Sequence, residues 1–265
     1  MAMKSKTVDF GKYSSVKIGG VVEVSVLESA AEVRAFEGVL VGGANNMLLG
    51  ERLPPLAFLG DAFKGVEFRG DSKFVCVGAR TNSAVLFKFA KEHGVGGFEF
   101  MKKIPGTLGG MLKMNAGVKG FDISKIVQSV RTSEGEFDVS ECGFGYRKSA
   151  FKGVVLEACL AGSAAWSVEL ENALSYVRSN QPRGASFGSC FKNPTGESAG
   201  RLLESVGLRG FRRGGCEFSA MHANFLINTG GGKFEDALWL INEAKRRVFE
   251  TCGVELEREV VVLGE

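Results

Sequence analysis

Apolar and polar positions change along this chain in short blocks, and the blocks predict small strands interleaved with helices. Val21 to Val26 is a β-branched run of strand character. Ser29-Ala30-Ala31-Glu32 has the capping-box pattern, so a short helix opens there and stops at Gly38. Gly38 to Leu49 reads as an apolar strand entering a glycine-rich turn. Residues 66–79 read as strands ending at Val75-Cys76-Val77. Asn82 to Glu92 has helical period, with Val85, Leu86, Phe89 and Ala90 on one face and Gly94 as the stop. Residues 126–140 and 154–162 predict strands, and Val168 to Val177 a helix. A short helix over Leu202 to Val206 closes at Gly207, and Phe225 to Thr229 is a strand. Glu235 to Cys252 is the longest helix, burying Leu238, Ile241, Val248 and Cys252, with Gly253 at C′. Val254 to Leu263 follows as a strand.

Strands and helices are mixed without strict βαβ alternation, which predicts α+β packing in more than one subdomain. No repeat of 20–50 residues is present, so a solenoid is excluded. Residues 97–122 are glycine-rich and weakly periodic. A loop of that length inside a folded protein is a functional suspect.

Composition narrows the chemistry. Glycine supplies 37 of 265 residues, about twice its average usage. That density suits tight turns and close backbone approach to a ligand. The net charge of +3 is too small to argue for nucleic acid. No apolar run reaches membrane-spanning length, and Met1 to Phe10 lacks the apolar core of a signal peptide. Six cysteines are scattered without a C-x-x-C pair, which predicts free, mostly buried thiols in a reducing cytoplasm and no zinc site. With only His93 and His222, the chemistry must lean on carboxylates, arginine, serine or a cofactor.

Six segments carry candidate groups. Leu40 to Leu48 contains Gly42-Gly43-Ala44-Asn45-Asn46, whose N–H groups can converge on an anion; taken alone, a tight turn between strands is the better reading. Ile104-Pro105-Gly106-Thr107-Leu108-Gly109-Gly110, followed by Asn115-Ala116-Gly117 and Gly120, offers backbone and a hydroxyl to a pyrophosphate but lacks the G-K-[ST] of a P-loop. Phe144 to Ser149 contains Tyr146-Arg147, a guanidinium able to hold a carboxylate bidentately or simply a basic surface turn. Ser186 to Pro194 brings together Ser189, Lys192 and Asn193. From Arg178 to Arg213 there are seven Lys/Arg against two Glu, a balance of 7 − 2 = +5 that suits an anionic ligand or a solvated loop. Ser219 to Asn228 leads His222 into an apolar strand, where a hydrogen-bonded structural histidine is expected. In Leu256 to Val260, strand period puts Glu257 and Glu259 on one face.

In order and spacing these segments resemble the UDP-N-acetylenolpyruvoylglucosamine reductases, the MurB flavoenzymes of bacterial cell-wall synthesis. The family's G-x-G-S-N loop is matched by Gly42 to Asn45, with Ala44 where Ser is usual and Val41 where Gly is usual. Its G-I-P-G-T-x-G-G is matched from Ile104 to Gly110, with Lys103 in place of the leading Gly. N-A-G-x-x-G falls at Asn115 to Gly120, Y-R at Tyr146-Arg147 and G-S-x-F-K-N-P at Gly188 to Pro194. S-x-x-H-A-N-F is Ser219 to Phe225, and L-x-x-E-V is Leu256 to Val260. The interval of 42 residues from Arg147 to Ser189 resembles the branch without the extra substrate-covering Tyr loop.

The resemblance implies an α+β protein: a two-subdomain FAD-binding fold of the MurB/vanillyl-alcohol-oxidase type plus a C-terminal α+β substrate-binding domain. Residues 1–58 would form the first FAD subdomain. Residues 59–180, completed by strand 254–265, would form the second, and 181–253 the substrate domain. It implies noncovalent FAD on Gly42, Gly43, Ala44, Asn45, Asn46, Ile104, Pro105, Gly106, Thr107, Gly109, Gly110, Asn115, Gly117 and Gly120. NADPH would be the reductant and UDP-N-acetylglucosamine enolpyruvate the substrate, in peptidoglycan synthesis. Arg147, Ser189 and Glu259 would be catalytic, with Glu259 rather than Glu257 because the family's Glu precedes Val. Tyr146, Lys192 and Asn193 would contact substrate, and no metal is implied. Two rivals are another FAD oxidoreductase of the same flavin fold and a non-catalytic nucleotide-binding protein. The Ser-Arg-Glu set argues against both, and the absence of histidine from residues 94–221 argues against a His-linked flavin.

Overall fold

Strand runs with their predicted alternation pair into sheets of different kinds in two parts of the chain. The computed structural model describes residues 3–69, 74–162, 165–179 and 181–265. Contacts divide it into two compact units. The first comprises residues 1–6, 24–43 and 55–180, and the second residues 7–23, 44–54 and 181–265.

In the first unit a five-stranded antiparallel sheet has the order Glu136–Asp138, Val127–Thr132, Val155–Ala161, Phe74–Gly78, Val66–Arg69. The strands expected over 66–79 are therefore present as two, and residues 70–73 lie outside the described residues. The central strands bury alternate residues, Val75, Val77, Ala158 and Leu160 among them, against Leu86, Phe98, Met101, Leu108 and Leu112. Burying each such large side chain contributes about 1.5–3 kcal/mol. A separate parallel set places Leu56–Leu59 between Val21–Leu27 and Val39–Leu40. The capping box forms as its pattern requires: Ser29 Oγ accepts from the Glu32 N–H, and the Glu32 carboxylate accepts from the Ser29 N–H.

Residues 97–122 are not one loop. They hold the helix Leu108–Lys113 and a hairpin of Gly117–Val118 with Phe121–Asp122. Leu108, Met111 and Leu112 form the buried stripe of that helix, which Gly109 and Gly110 mask in the sequence pattern. The helix Ser83–Glu92 buries Leu86 and Ala90, but Val85 is exposed.

The second unit has a four-stranded antiparallel sheet in the order Ala185–Ser189, Phe225–Asn228, Cys216–Phe218, Arg212–Arg213. The long helix, Phe234–Cys252, buries Ala237, Leu240, Ile241, Ala244 and Val248 in its core. The stripe is rotated from the expected one: two alanines permit close packing, Leu238 is only partly covered and Cys252 is exposed. Gly253 closes the helix in the left-handed region, as expected. The last strand is shorter than the expected Val254 to Leu263, because a ladder forms only over Val261–Leu263, in parallel with Met47–Leu49. Residues 257–259 instead make one antiparallel bridge, Phe191 with Arg258.

Candidate active site

In the first unit the glycine segments approach one another closely. A Cβ added to Gly42 would lie 2.7 Å from Thr107 Oγ1, so any larger residue would have to displace that hydroxyl. Thr107 opens the helix Leu108–Lys113, and the N–H groups of Leu108 and Gly109 already donate to the Thr81 and Ala79 carbonyls (2.9 and 2.8 Å). The segment is thus anchored to its neighbours and leaves a surface of backbone plus the Thr107 hydroxyl. Such a surface fits the close approach of a pyrophosphate. A cavity of about 330 Å³ adjoins it, lined in part by Ile104 and Pro105. Gly117 and Gly120 belong to the hairpin, closed by Lys119 and Gly120 at φ 46 and 80.

Lys103, which stands where the family motif has glycine, has φ 65. It follows Lys102 (φ −54, ψ 122) in a turn closed by the Ile104 N–H on the Met101 carbonyl at 3.0 Å. These are the angles of a type II turn, whose third position favours glycine. The turn is held through Lys102, which pairs with the buried Glu171 at 2.5 Å. Burial alone would raise the Glu171 carboxyl. Hydrogen bonds from Lys102, Lys91 and the Trp166 ring outweigh it and hold the group at about 2.

Tyr146 and Arg147 are the central residues of a two-residue turn. Gly145 and Lys148 exchange both backbone hydrogen bonds across it, at 3.1 and 3.2 Å. Arg147 has φ 55. Its guanidinium donates to the Gly117 carbonyl (3.5 Å) and lies 5.3 Å from the Tyr146 ring. Asn115, expected beside the cofactor, turns its amide toward this turn and Ser124.

In the second unit Ser189 ends the strand Ala185–Ser189. Pairing with the neighbouring strand slips between Ser186 and Ser189, where Gly188 has φ 87. This bulge re-aims the residue that follows it. Beyond Ser189 the chain is clamped from both sides. The buried Asn224 accepts from the Phe191 N–H (3.0 Å) and donates to the Phe191 carbonyl (2.8 Å), standing in for a neighbouring strand. On the other side the Glu259 N–H donates to the Cys190 carbonyl at 2.8 Å. Backbone bonds therefore tie the Ser189 and Glu259 segments together. Burial, first, and the Glu259 carboxylate, to a lesser degree, push the Cys190 thiol far up.

Asn46 also serves this segment, donating from its amide to the Glu259 carbonyl at 2.9 Å. Ala44, where the family has Ser, is buried at φ 48, and the Asn45 carbonyl accepts from Ser15 Oγ. Lys192 pairs with Glu257, and Asn193 Oδ1 accepts from the Ala199 N–H at 3.0 Å. The basic run is not a bare cationic surface. Lys192, Arg201, Arg209, Arg212 and Arg213 pair with Glu257, Glu197, Glu204, Glu217 and Asp236, three of which lie outside the run. His222 accepts from the Asn224 N–H through Nδ1, a structural part as expected. Sequence reasoning passed over Asn224 itself. Its motif was noticed for the histidine, and the amide's partner lies 33 residues away. No cluster of three metal-ligating side chains occurs among the described residues.

Mixed antiparallel and parallel sheets with helices packed on them define an α+β protein. A family model described as UDP-N-acetylenolpyruvoylglucosamine reductase, C-terminal domain, matches residues 180–263. The chain is 44% identical to the UDP-N-acetylenolpyruvoylglucosamine reductase of Campylobacter jejuni strain RM1221, over 97% of this chain and 99% of that one. With the Helicobacter pylori strain 26695 reductase it shares 41% identity over 98% of this chain and all of that one. The crystal structure of the Thermus caldophilus reductase superposes with a TM-score of 0.86 at 31% identity, covering 99% of this chain and 100% of that one. The chain belongs to the UDP-N-acetylenolpyruvoylglucosamine reductase family.

Proposed function

We propose that this chain reduces UDP-N-acetylglucosamine enolpyruvate to UDP-N-acetylmuramate, a step of peptidoglycan synthesis, with noncovalent FAD and NADPH. The observation that carries the reading is kinship with named reductases over 97–98% of the chain, with the arginine, serine and glutamate all present.

Bound flavin supplies the hydride chemistry. Residues 42–46 and 104–110 would hold its phosphates, on backbone groups and the Thr107 hydroxyl. Arg147 grips the enolpyruvyl carboxylate with its planar fork and stabilises the negative charge that develops there during reduction. Ser189 delivers a proton to the adjacent carbon. Glu259, on the segment tied to Cys190, assists at the enol, while Tyr146, Lys192 and Asn193 contact the nucleotide sugar. Residues 181–253 form the substrate-binding part. No helix among the described residues is long and apolar enough to cross a membrane.

Spectroscopy tests the reading. The purified protein should absorb near about 450 nm as flavoproteins do, lose that band with NADPH, and regain it anaerobically on addition of UDP-N-acetylglucosamine enolpyruvate. Bleaching without recovery would mean a different FAD oxidoreductase, and a colourless protein that takes up no FAD would mean a non-catalytic one. Acid precipitation should leave all the flavin in the supernatant.

A further inference from the structure

We propose that Asn115 is the positioning residue that sets the guanidinium of Arg147. The proposal rests on the reading of Arg147 as the carboxylate-binding group.

Arg147 is an L-residue at φ 55 in the third position of a turn, a place that favours glycine. Left-handed backbone is unfavourable for such a residue, and it persists only where the surroundings over-determine it. The surroundings here are residues 113–117. Ser149 Oγ donates to the Lys113 carbonyl (3.0 Å), Asn115 Nδ2 to the Gly145 carbonyl (3.1 Å), and Arg147 Nη2 to the Gly117 carbonyl (3.5 Å). The middle grip is the buried one, Asn115 being 6% exposed. Its other end is also committed, because Oδ1 accepts from the Ser124 N–H at 3.2 Å. The amide is therefore locked in one orientation, with its donor side on the residue that opens the Tyr146-Arg147 turn.

Asn115 is itself left-handed, at φ 40, and its N–H reaches the Leu112 carbonyl at 3.2 Å just past the helix Leu108–Lys113. Asparagine tolerates that position better than other side-chain-bearing residues, and glycine tolerates it best. The other end of the same helix is Thr107. The helix Leu108–Lys113 therefore lies between Thr107 and the residue that grips the arginine's turn.

Glycine at 115 separates backbone from amide, since it keeps the left-handed conformation and deletes only the side chain. Asn115→Asp retains the acceptor for Ser124 and sets an oxygen against the Gly145 carbonyl. The experiment uses FAD-loaded wild type, Asn115→Gly, Asn115→Asp, Arg147→Lys and the double variant Asn115→Gly/Arg147→Lys. Titration calorimetry measures Kd for UDP-N-acetylmuramate, which carries the carboxylate, and for UDP-N-acetylglucosamine, which does not. Losing a charge-assisted grip is worth about tenfold. Both Asn115 variants and Arg147→Lys should weaken UDP-N-acetylmuramate binding about tenfold and leave UDP-N-acetylglucosamine within twofold. The double variant should be no weaker than Arg147→Lys, because both changes remove one interaction. Flavin content and the rate of flavin reduction by NADPH should stay at wild-type values.

If Arg147→Lys loses the discrimination while both Asn115 variants keep it, the positioning role is wrong and the function stands. If Arg147→Lys keeps the discrimination, the carboxylate role of Arg147 falls, and the proposal with it. Additive losses in the double variant, or flavin lost from Asn115→Gly, would likewise overturn the proposal, the latter returning Asn115 to the cofactor.

Discussion

Arg147 and the Ser189–Glu259 pair of segments are held in place by opposite means. Arg147 rides on a turn whose backbone is strained, and side-chain grips from residues 113–117 keep it there. Ser189 and Glu259 ride on backbone hydrogen bonds: a bulged strand, a single bridge and the Asn224 amide acting as a surrogate strand. Neither Ser189 nor Glu259 has a positive φ. The difference has a physical sense. A long, flexible guanidinium needs its base fixed tightly to present a planar fork. A short hydroxyl takes its direction from the strand that carries it.

Four variants break or sharpen this contrast. Ser189→Ala leaves the ladder intact and removes only the proton. Flavin reoxidation by substrate should fall about 10²–10⁴-fold, with reduction by NADPH near normal in stopped-flow. Wild-type reoxidation would show that the ladder positions something else. Asn224→Ala attacks the ladder itself by orphaning the Phe191 N–H and carbonyl. Denaturant unfolding should show a loss of about 2–4 kcal/mol, and a loss below about 1 kcal/mol would mean that the strand pairing is self-sufficient.

Glu171→Gln loosens the other side, where Lys102 enters a turn with positive φ. It should cost about 1–3 kcal/mol at neutral pH. Because the folded carboxyl sits at about 2, below its ordinary 4.5, its contribution is complete above the unfolded value and disappears as pH falls from 4.5 toward 2. The stability gap between wild type and Glu171→Gln should close over that interval; a gap constant down to pH 2 would contradict the pairing. Lys103→Gly is the smallest effect. Relief of the φ 65 conformation, less the extra freedom of the unfolded glycine, should stabilise by about 0.5 kcal/mol. A destabilised Lys103→Gly would mean that the lysine side chain holds the turn.

Legibility in the sequence followed the range of the interactions. The Ser29–Glu32 capping box and the Gly253 helix end close within a few residues, and both stand as the pattern implied. Arg147, Ser189 and Glu259 stood out only through the resemblance of seven ordered segments to the reductase family, since each motif alone also fits a plain turn, loop or strand. The helix at Leu108 was hidden by Gly109 and Gly110, which carry no helical signal although three apolar neighbours do. The strained turn and the roles of Asn115 and Asn224 were not legible, because their partners lie 30 and 33 residues away. The strand expected over Val254 to Leu263 was too long because pairing confines it to Val261–Leu263.

That last pairing also has a consequence in time. Met47 cannot meet Val261 until 261 − 47 = 214 further residues have been made. At about 5–20 residues per second, that is a delay on the order of 10–40 s during synthesis. Through that interval Met47–Leu49 is an apolar strand without its partner, and Asn46 waits for the Glu259 carbonyl it will hold. The nascent chain therefore carries an open strand edge throughout that interval. The Glu259 segment and the Asn46 amide that holds it are thus brought together late relative to Met47–Leu49.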